Sequence, residues 1–350
     1  MGLDCDNDLR ERESCRSANM EADQPRLFRV SVELTPNRPI LLPPFLGPAI
    51  YATLSEAWMR ATGTPPQLPA NMWVEASGPW NANVKRREPL QFVISTLQKS
   101  SSSANELLQL LYTGIRSVGA CGLNRSLLGG NFELTKLANL ATGLTLANDE
   151  TVLGVSLHEL CENMDRDGHC QNVRIQIESP LRLQRKSLDI VPGHRYLDSG
   201  FFPIDRFVTS ISQRLMHLGV IRSIDRKTRL QYPSLTVKKL RWREVRYGHK
   251  NNRKSFGGVT GVLCAEMVSA EVYRLMSLGQ YFGVGELTRF GFGRYTIVGQ
   301  LPSFKLTGTV KSVLHPNLKH QTPAPHTRLS PVPRNPDQVS HGINANGTLR

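Results

Sequence analysis

The feature that most constrains this chain is an order of hydrophobic periodicities that runs through it twice. From Arg26, RLFRVSVEL alternates apolar and polar residues at period two, the pattern of a strand with one buried face. NRPILLPPFLGP leads into AIYATLSEAWMRATG, where Ile50, Leu54, Ala57 and Trp58 fall on one helical face. MWVEASGPW and PLQFVISTL read as strands joined by ANVKRRE, a turn carrying Lys85, Arg86 and Arg87. ANELLQLLYTGIRSVGAC is an amphipathic helix closed by glycines, and GNFELTKL and ETVLGVSL are strand-like. After HELCENMDRDGHCQ the order begins again. VRIQIESPLRL is a strand, and RFVTSISQRLMHL a helix with Phe207, Ile211, Leu215 and Leu218 in register. SLTVKKLRWREVRYG and SFGGVTGVLCAEM form a hairpin around HKNNRK, SAEVYRLMSLGQYF is a helix and RYTIVGQL the last strand.

A β-α-β-β-α-β order is the split βαβ, ferredoxin-like unit. The sequence therefore predicts an α+β protein of two tandem ferredoxin-like (RRM-like) domains, residues 26–157 and 172–310, with a linker at 158–171. Two such units side by side leave a cleft between their sheets. Residues 1–25 lack periodicity and hold seven Asp/Glu against three Arg, which predicts a disordered acidic leader. Residues 311–350 contain six prolines and four histidines with little apolar periodicity, and predict a disordered tail suited to binding a partner.

The net charge of +14 is concentrated. Between Arg222 and Lys254 twelve Lys/Arg stand against Asp225 and Glu244 alone, with Tyr232, Trp242 and Tyr247 among them. A field of that density attracts polyanions. In LRWREVRYGHKNNRK, Arg241, Arg243 and Val245 share one strand face and Trp242 and Glu244 the other. Lys238 and Lys239 precede them; Arg246, Lys250, Arg253 and Lys254 lie near or at the turn. A basic hairpin of this kind clamps the phosphates of a nucleic-acid stem, reading backbone and shape. The alternative is a solvated charged face. No run approaches the ~18 apolar residues of a membrane helix, the start is no signal peptide, and six scattered cysteines fit free thiols in a reducing cytosol. The expected location is cytoplasmic, with no membrane partner.

From Gly279, GQYFGVGELTRFGFGRYTI sets Gly283, Gly285, Gly291 and Gly293 around Arg289 and Arg294. Glycine permits φ > 0 and close backbone approach, so exposed amides and two guanidinium groups suit a phosphodiester backbone. The same spacing also suits a tight helix-to-strand turn whose glycines serve packing. A dinucleotide fingerprint would require glycine at Thr288, and no Walker lysine follows the loop, so nucleotide cofactors are not expected. AEVYRLMSLGQYF followed by GVGELTRFGFGRYTI, with FGGVTGVL upstream and VRIQIESPLRLQ…FPIDRFVTSISQRLMHL before it, resembles the glycine-rich C-terminal region of the repeat-associated RNA-binding (RAMP) superfamily. Within it the sequence is similar to the CRISPR-associated endoribonuclease that cuts precursor CRISPR RNA. The resemblance covers 172–300 well and 26–140 more weakly, through the first helix and GLNRSLLGGNFEL.

It implies a repeat stem-loop of precursor CRISPR RNA as substrate, and other effector-complex subunits as partners. It also implies a metal-independent cut in which the 2′-hydroxyl attacks the adjacent phosphate. Two alternatives remain: a non-cutting RAMP-type RNA-binding subunit, and a general nucleic-acid-binding protein. The family's usual first-domain histidine is missing, since no histidine precedes His158. The acid–base candidates are then His249 in the basic turn, His194 in VPGHRYLDSG and Tyr51 near the start of the first helix. Lys85, Arg86 and Arg87 are candidates for cationic contact with RNA. His158, Cys161, His169 and Cys170 do not read as a zinc site, because adjacent His169 and Cys170 do not readily face one ion. No metal or other cofactor is expected.

Overall fold

Both passes close into antiparallel sheets of identical strand order. The computed structural model describes residues 25–42, 45–76, 85–86, 88–121, 131–146, 151–165, 172–185, 195–221, 232–247 and 254–298. Apart from Pro25, the leader and the tail expected to be disordered lie outside them. In the first pass, β1 (Arg26–Pro36) and β2 (Ile40–Leu41) precede α1 (Gly47–Thr62). β3 (Met72–Glu75), β4 (Lys85–Arg86), β5 (Leu90–Gln98), α2 (Ser101–Cys121) and β6 (Phe132–Asn139) follow, and then β7 (Val155–Ser156) and α3 (Leu157–Asp165). The second pass comprises β8 (Asn172–Leu181), α4 (Ile204–His217), β9 (Ser234–Tyr247), β10 (Lys254–Glu266), α5 (Ala270–Phe282) and β11 (Tyr295–Ile297).

The first sheet runs β3-β5-β1-β6 and the second β11-β8-β10-β9. Each is the order in which the fourth strand of a β-α-β-β-α-β unit lies beside the first, as the tandem ferredoxin-like expectation requires. β2 and β4 form a separate two-stranded ribbon. No helix among the described residues is long and apolar enough to cross a membrane.

Period-two alternation decides which face each sheet buries. On β1, Phe28, Val30, Val32 and Leu34 are fully buried in a core with Ile50 and Leu54 of α1 and Leu108 of α2. Arg29, Ser31 and Glu33 take the opposite face by alternation. On β10, Val259, Leu263 and Ala265 join Phe207 and Ile211 of α4 and Met276 of α5. Among the described residues the helices of this unit, α4 and α5, pack on that face, which leaves the opposite face of the sheet without a helix of its own. Leu27, Trp73 and Leu97 of the first pass belong to this second core, so the two units share an apolar seam within one compact body.

The expected linker at 158–171 begins instead as helix α3, and ETVLGVSL contributes only the two residues of β7. Ser156 and Glu159 form a capping box. The Ser156 amide donates to the Glu159 carboxylate at 2.7 Å, and the Glu159 amide donates to Ser156 Oγ at 3.1 Å. S-x-x-E was present in the sequence and starts a helix where polar composition alone had indicated a connection.

Candidate nucleic-acid interface

The glycine-rich loop leaves α5 at Gly283 and reaches β11 through a 3₁₀ turn at Thr288–Phe290. All four glycines have φ between 69° and 84°, as the spacing predicted. The space around them is occupied by protein backbone. A Cβ on Gly293 would stand 1.7 Å from the Val284 carbonyl oxygen, and one on Gly285 2.4 Å from that of Arg182. The amides are engaged as well. Glu286 N–H donates to Arg182 O, Val284 N–H to Gly293 O, Gly293 N–H to Pro180 O and Gly285 N–H to Ser210 Oγ. Of the two readings the sequence left open, these contacts belong to the packed helix-to-strand turn.

Both arginines of the loop turn into the protein. Arg289 donates to the Leu68 and Pro69 carbonyls of the first unit, the latter at 3.3 Å. Arg294 pairs with Glu178 of β8 at 2.8 Å and lies 3.7 Å from Glu75 of β3. Glu75 is buried and also accepts from Arg29 Nε at 3.0 Å and from Ser95 Oγ. Burial by itself would raise the Glu75 pKa. The charges of Arg29 and Arg294 and the hydrogen bonds from Arg29 and Ser95 outweigh it, and hold the carboxyl below its ordinary value. Aromatic contacts run along the same seam, with Phe45 edge-on to Phe292 at 5.1 Å and Trp73 5.6 Å from Phe282. Arg289 and Arg294, expected to face RNA, therefore join the two units to each other. Sequence reading missed Arg29, Glu75 and Glu178. Only Glu75 carried a signal, as the single charged residue of the otherwise apolar MWVE; Arg29 and Glu178 stand in strands that alternate with other polar residues.

The basic strand keeps its exposed cations. Among the described residues β9 is the edge of the second sheet and pairs with β10. Its register sets Lys239 opposite Val262, Arg241 opposite Thr260 and Arg243 opposite Gly258, on the face without helices. Lys239 and Arg241 are exposed and Arg243 is half-buried. The neighbouring strands add Arg174 to this face, opposite Cys264. Lys238 points to the other side, where its ammonium donates to the Gly200 carbonyl at 2.8 Å. Trp242, 41% exposed, lies over Gly257, where a Cβ would meet the indole at 2.0 Å. Arg246 and Lys254 are paired in the ladder near the turn. Lys250 and Arg253 lie outside the described residues.

Of the acid–base candidates, His249 and His194 also lie outside the described residues. Tyr51 is on α1, half-buried, its ring centroid 4.4 Å from that of Phe290 and its face 5.8 Å from the Arg289 guanidinium. It thus abuts the glycine-rich loop from the first unit. Lys85 and Arg86 form β4 and pair with Leu41 and Ile40; Arg87 lies outside the described residues. His158 sits 3.2 Å from Glu162 one turn along α3, while His169 and Cys170 lie outside the described residues.

Residues 175–295 match the model of the CRISPR-associated endoribonuclease Cas6 family. The matched stretch runs from β8 into β11 and takes in the basic strand and the whole glycine-rich loop. Over that stretch the chain is similar to the Cas6 family. Solved Cas6-containing structures share the fold of both units. A chain of a partial Cas6-RT-Cas1–Cas2 complex superposes with a TM-score of 0.56 at 15% identity, over 79% of this chain and 46% of that one. A Cas6-RT-Cas1–Cas2 complex gives the same score and identity over 79% and 29%. Cas6 of Thermus thermophilus in a product complex gives 0.53 at 17% identity, over 79% of this chain and 100% of that one. The chain spans less than half the length of the first two. No curated protein sequence matches it. Lys239, Arg241, Arg243 and the glycine-rich loop fall inside the segment that matches this family model, whereas Tyr51, Lys85 and Arg86 lie upstream of it.

Proposed function

We propose that this protein binds CRISPR repeat RNA on the helix-free face of its second sheet and cuts the precursor transcript there as an endoribonuclease. The observation that carries the reading is the row Lys239, Arg241 and Arg243 on an edge strand of the segment that matches the Cas6 family model, with Arg174 on the same face. Spaced by the strand repeat of about 3.3 Å per residue, alternate cations on β9 follow a phosphodiester chain and contact its backbone. The basic turn beyond, with Arg246, Lys250, Arg253 and Lys254, extends that path. Arg289, Arg294 and the four loop glycines act at one remove, by fixing the first unit against the second.

The proposed cut needs no metal. The substrate's 2′-oxygen attacks the adjacent phosphorus while its proton passes to a base, and the P–O5′ bond breaks as an acid protonates the leaving oxygen. The products are a 2′,3′-cyclic phosphate and a 5′-hydroxyl. His249, next to the cations of the basic turn, is the first candidate for the acid–base role, followed by His194 and Tyr51. Lys85, Arg86 and Arg87 are candidates for offsetting the developing charge on the phosphorane. After the cut, the processed RNA stays bound and is carried into a complex with other CRISPR proteins.

A second reading, an RNA-binding subunit that does not cut, has its own observation. Tyr51 packs its ring on Phe290, and no histidine precedes His158. Incubating the full chain with repeat RNA in EDTA separates the two. Discrete cleavage that vanishes with a 2′-deoxy nucleotide at the scissile position is expected of the nuclease, as is a fall of at least ~10²-fold in single-turnover rate for His249→Ala at unchanged affinity. Tight binding with intact RNA identifies the non-cutting subunit.

A further inference from the structure

On the surface of α4 the apolar stripe that enters the core is matched by a polar stripe three and four residues apart. Arg206, Gln213, Arg214 and His217 line an open cavity of about 460 Å³, closed on its other side by Arg182 and Glu286. That volume lies within the roughly 300–1,000 Å³ of small-ligand sites and is far larger than a single ion needs.

The charges around it do not balance. Glu286, the single carboxylate of the lining, is 3.3 Å from Arg182 Nε and also accepts from Gln184. Arg182 is further held with its guanidinium 3.8 Å over the ring of Tyr196. Among the described residues Arg206 donates to the Gln184 carbonyl, through Nη2 at 3.1 Å, and its buried Nε has no acceptor. Arg214 has none at either Nε or Nη2, both buried. Its guanidinium also lies 5.8 Å from the ring of Trp73. Burial, and then the charge of Arg289, lower its pKa to about 10, so it stays cationic at neutral pH. Among the described residues neither Arg206 nor Arg214 has a carboxylate partner. A guanidinium withdrawn from water without an acceptor is costly, and an anion in the adjacent cavity removes that cost.

We infer that the α4 cavity binds a nucleotide, its phosphate held by Arg206 and Arg214 and the rest of the nucleotide filling the remaining volume. Arginine is suited to this because its planar fork offers a phosphate two donors at once. A lone inorganic anion would leave most of the cavity empty. The site is built on α4 and the glycine-rich loop and is distinct from the β9 face assigned to the RNA stem. Two sources supply such a group: a free mononucleotide, or a nucleotide within a single-stranded stretch of RNA.

The test is equilibrium binding of the full chain to AMP and, separately, to a single-stranded tetraribonucleotide, with wild type, Arg206→Gln and Arg214→Gln. Each substitution is expected to weaken the bound probe about tenfold or more, the worth of a charge-assisted hydrogen bond. Weakening of AMP alone assigns the site to free nucleotides, and weakening of the tetranucleotide, alone or with AMP, assigns it to RNA. If either variant fails to fold, hydrogen exchange on wild type replaces it. Protection over 204–217 and 285–286 on adding either probe is then the expected result. Unchanged affinities in folded variants, or no protection, overturn the inference. A blunt repeat stem, measured in parallel, reports on the β9 face alone. Its affinity is expected to be insensitive to both substitutions, so failure of the cavity and failure of the proposed stem interface give different results.

Discussion

Replacing Glu75 by glutamine keeps the shape of the side chain but withdraws the carboxylate that Arg29 and Arg294 share. Glu75 and Arg29 are 5% and 8% exposed. Breaking a buried pair by removing one partner costs about 3–5 kcal/mol. The lower end applies here, because Arg294 keeps Glu178 at 2.8 Å and its side chain is 27% exposed. For a body of this size, ~3 kcal/mol corresponds to a fall in Tm of roughly 6–12 °C. The effect also has a pH signature. In the folded protein the Glu75 pKa lies below its reference value of 4.5. The stabilisation is therefore complete above about 4.5 and is lost as pH falls through the folded pKa. Thermal melts of wild type and Glu75→Gln between pH 3 and pH 7 should differ most near neutrality and converge toward the acid end. A double-mutant cycle with Arg294→Ala should show coupling of about 0.5–3 kcal/mol, since the two side chains belong to one network. If Glu75→Gln melts at pH 7 within roughly 1–2 °C of wild type, as a surface substitution would, the seam is not held by this network.

Two further predictions concern the strand and the loop. Reversing charge at Arg241 and Arg243 should weaken binding of a repeat stem-loop and flatten its salt dependence by about 0.7–0.9 per lost phosphate contact on a log–log plot; filter binding across a salt series measures it, and an unchanged slope removes β9 from the interface. Gly293→Ala should destabilise the protein, because the added Cβ meets the Val284 carbonyl oxygen at 1.7 Å and the residue sits at φ 71°, a strain of at least about 1–3 kcal/mol. A melt indistinguishable from wild type would contradict the tight packing of this loop.

Much of the architecture was legible without coordinates. Side-chain alternation on RLFRVSVEL and the helical register of Phe207, Ile211 and Leu215 are local properties of a chain that must bury one face of each element. They fix element type, and the repeated order of types fixes the ferredoxin-like units. From 158 the polar composition indicates a linker, whereas the capping box of Ser156 and Glu159 starts a helix there. The charge of β9 and its separation from Trp242 by strand parity were equally visible, since parity needs only the strand itself.

What the sequence by itself determined, then, is two βαββαβ units, a basic hairpin and a glycine-rich turn suited to positive φ. Which way each arginine points was decided only in three dimensions. Arg289 and Arg294 looked equivalent to Arg241 and Arg243 as cations near glycines and aromatics. Tertiary structure brings Leu68, Pro69 and Glu75, more than 200 residues earlier in the chain, against the first pair and leaves Arg241 exposed and Arg243 half-buried on the face of β9 away from the helices. The physical reason is range. Backbone conformation follows from neighbours a few residues away, whereas the partner of a buried charge is set by how two separately folded sheets meet.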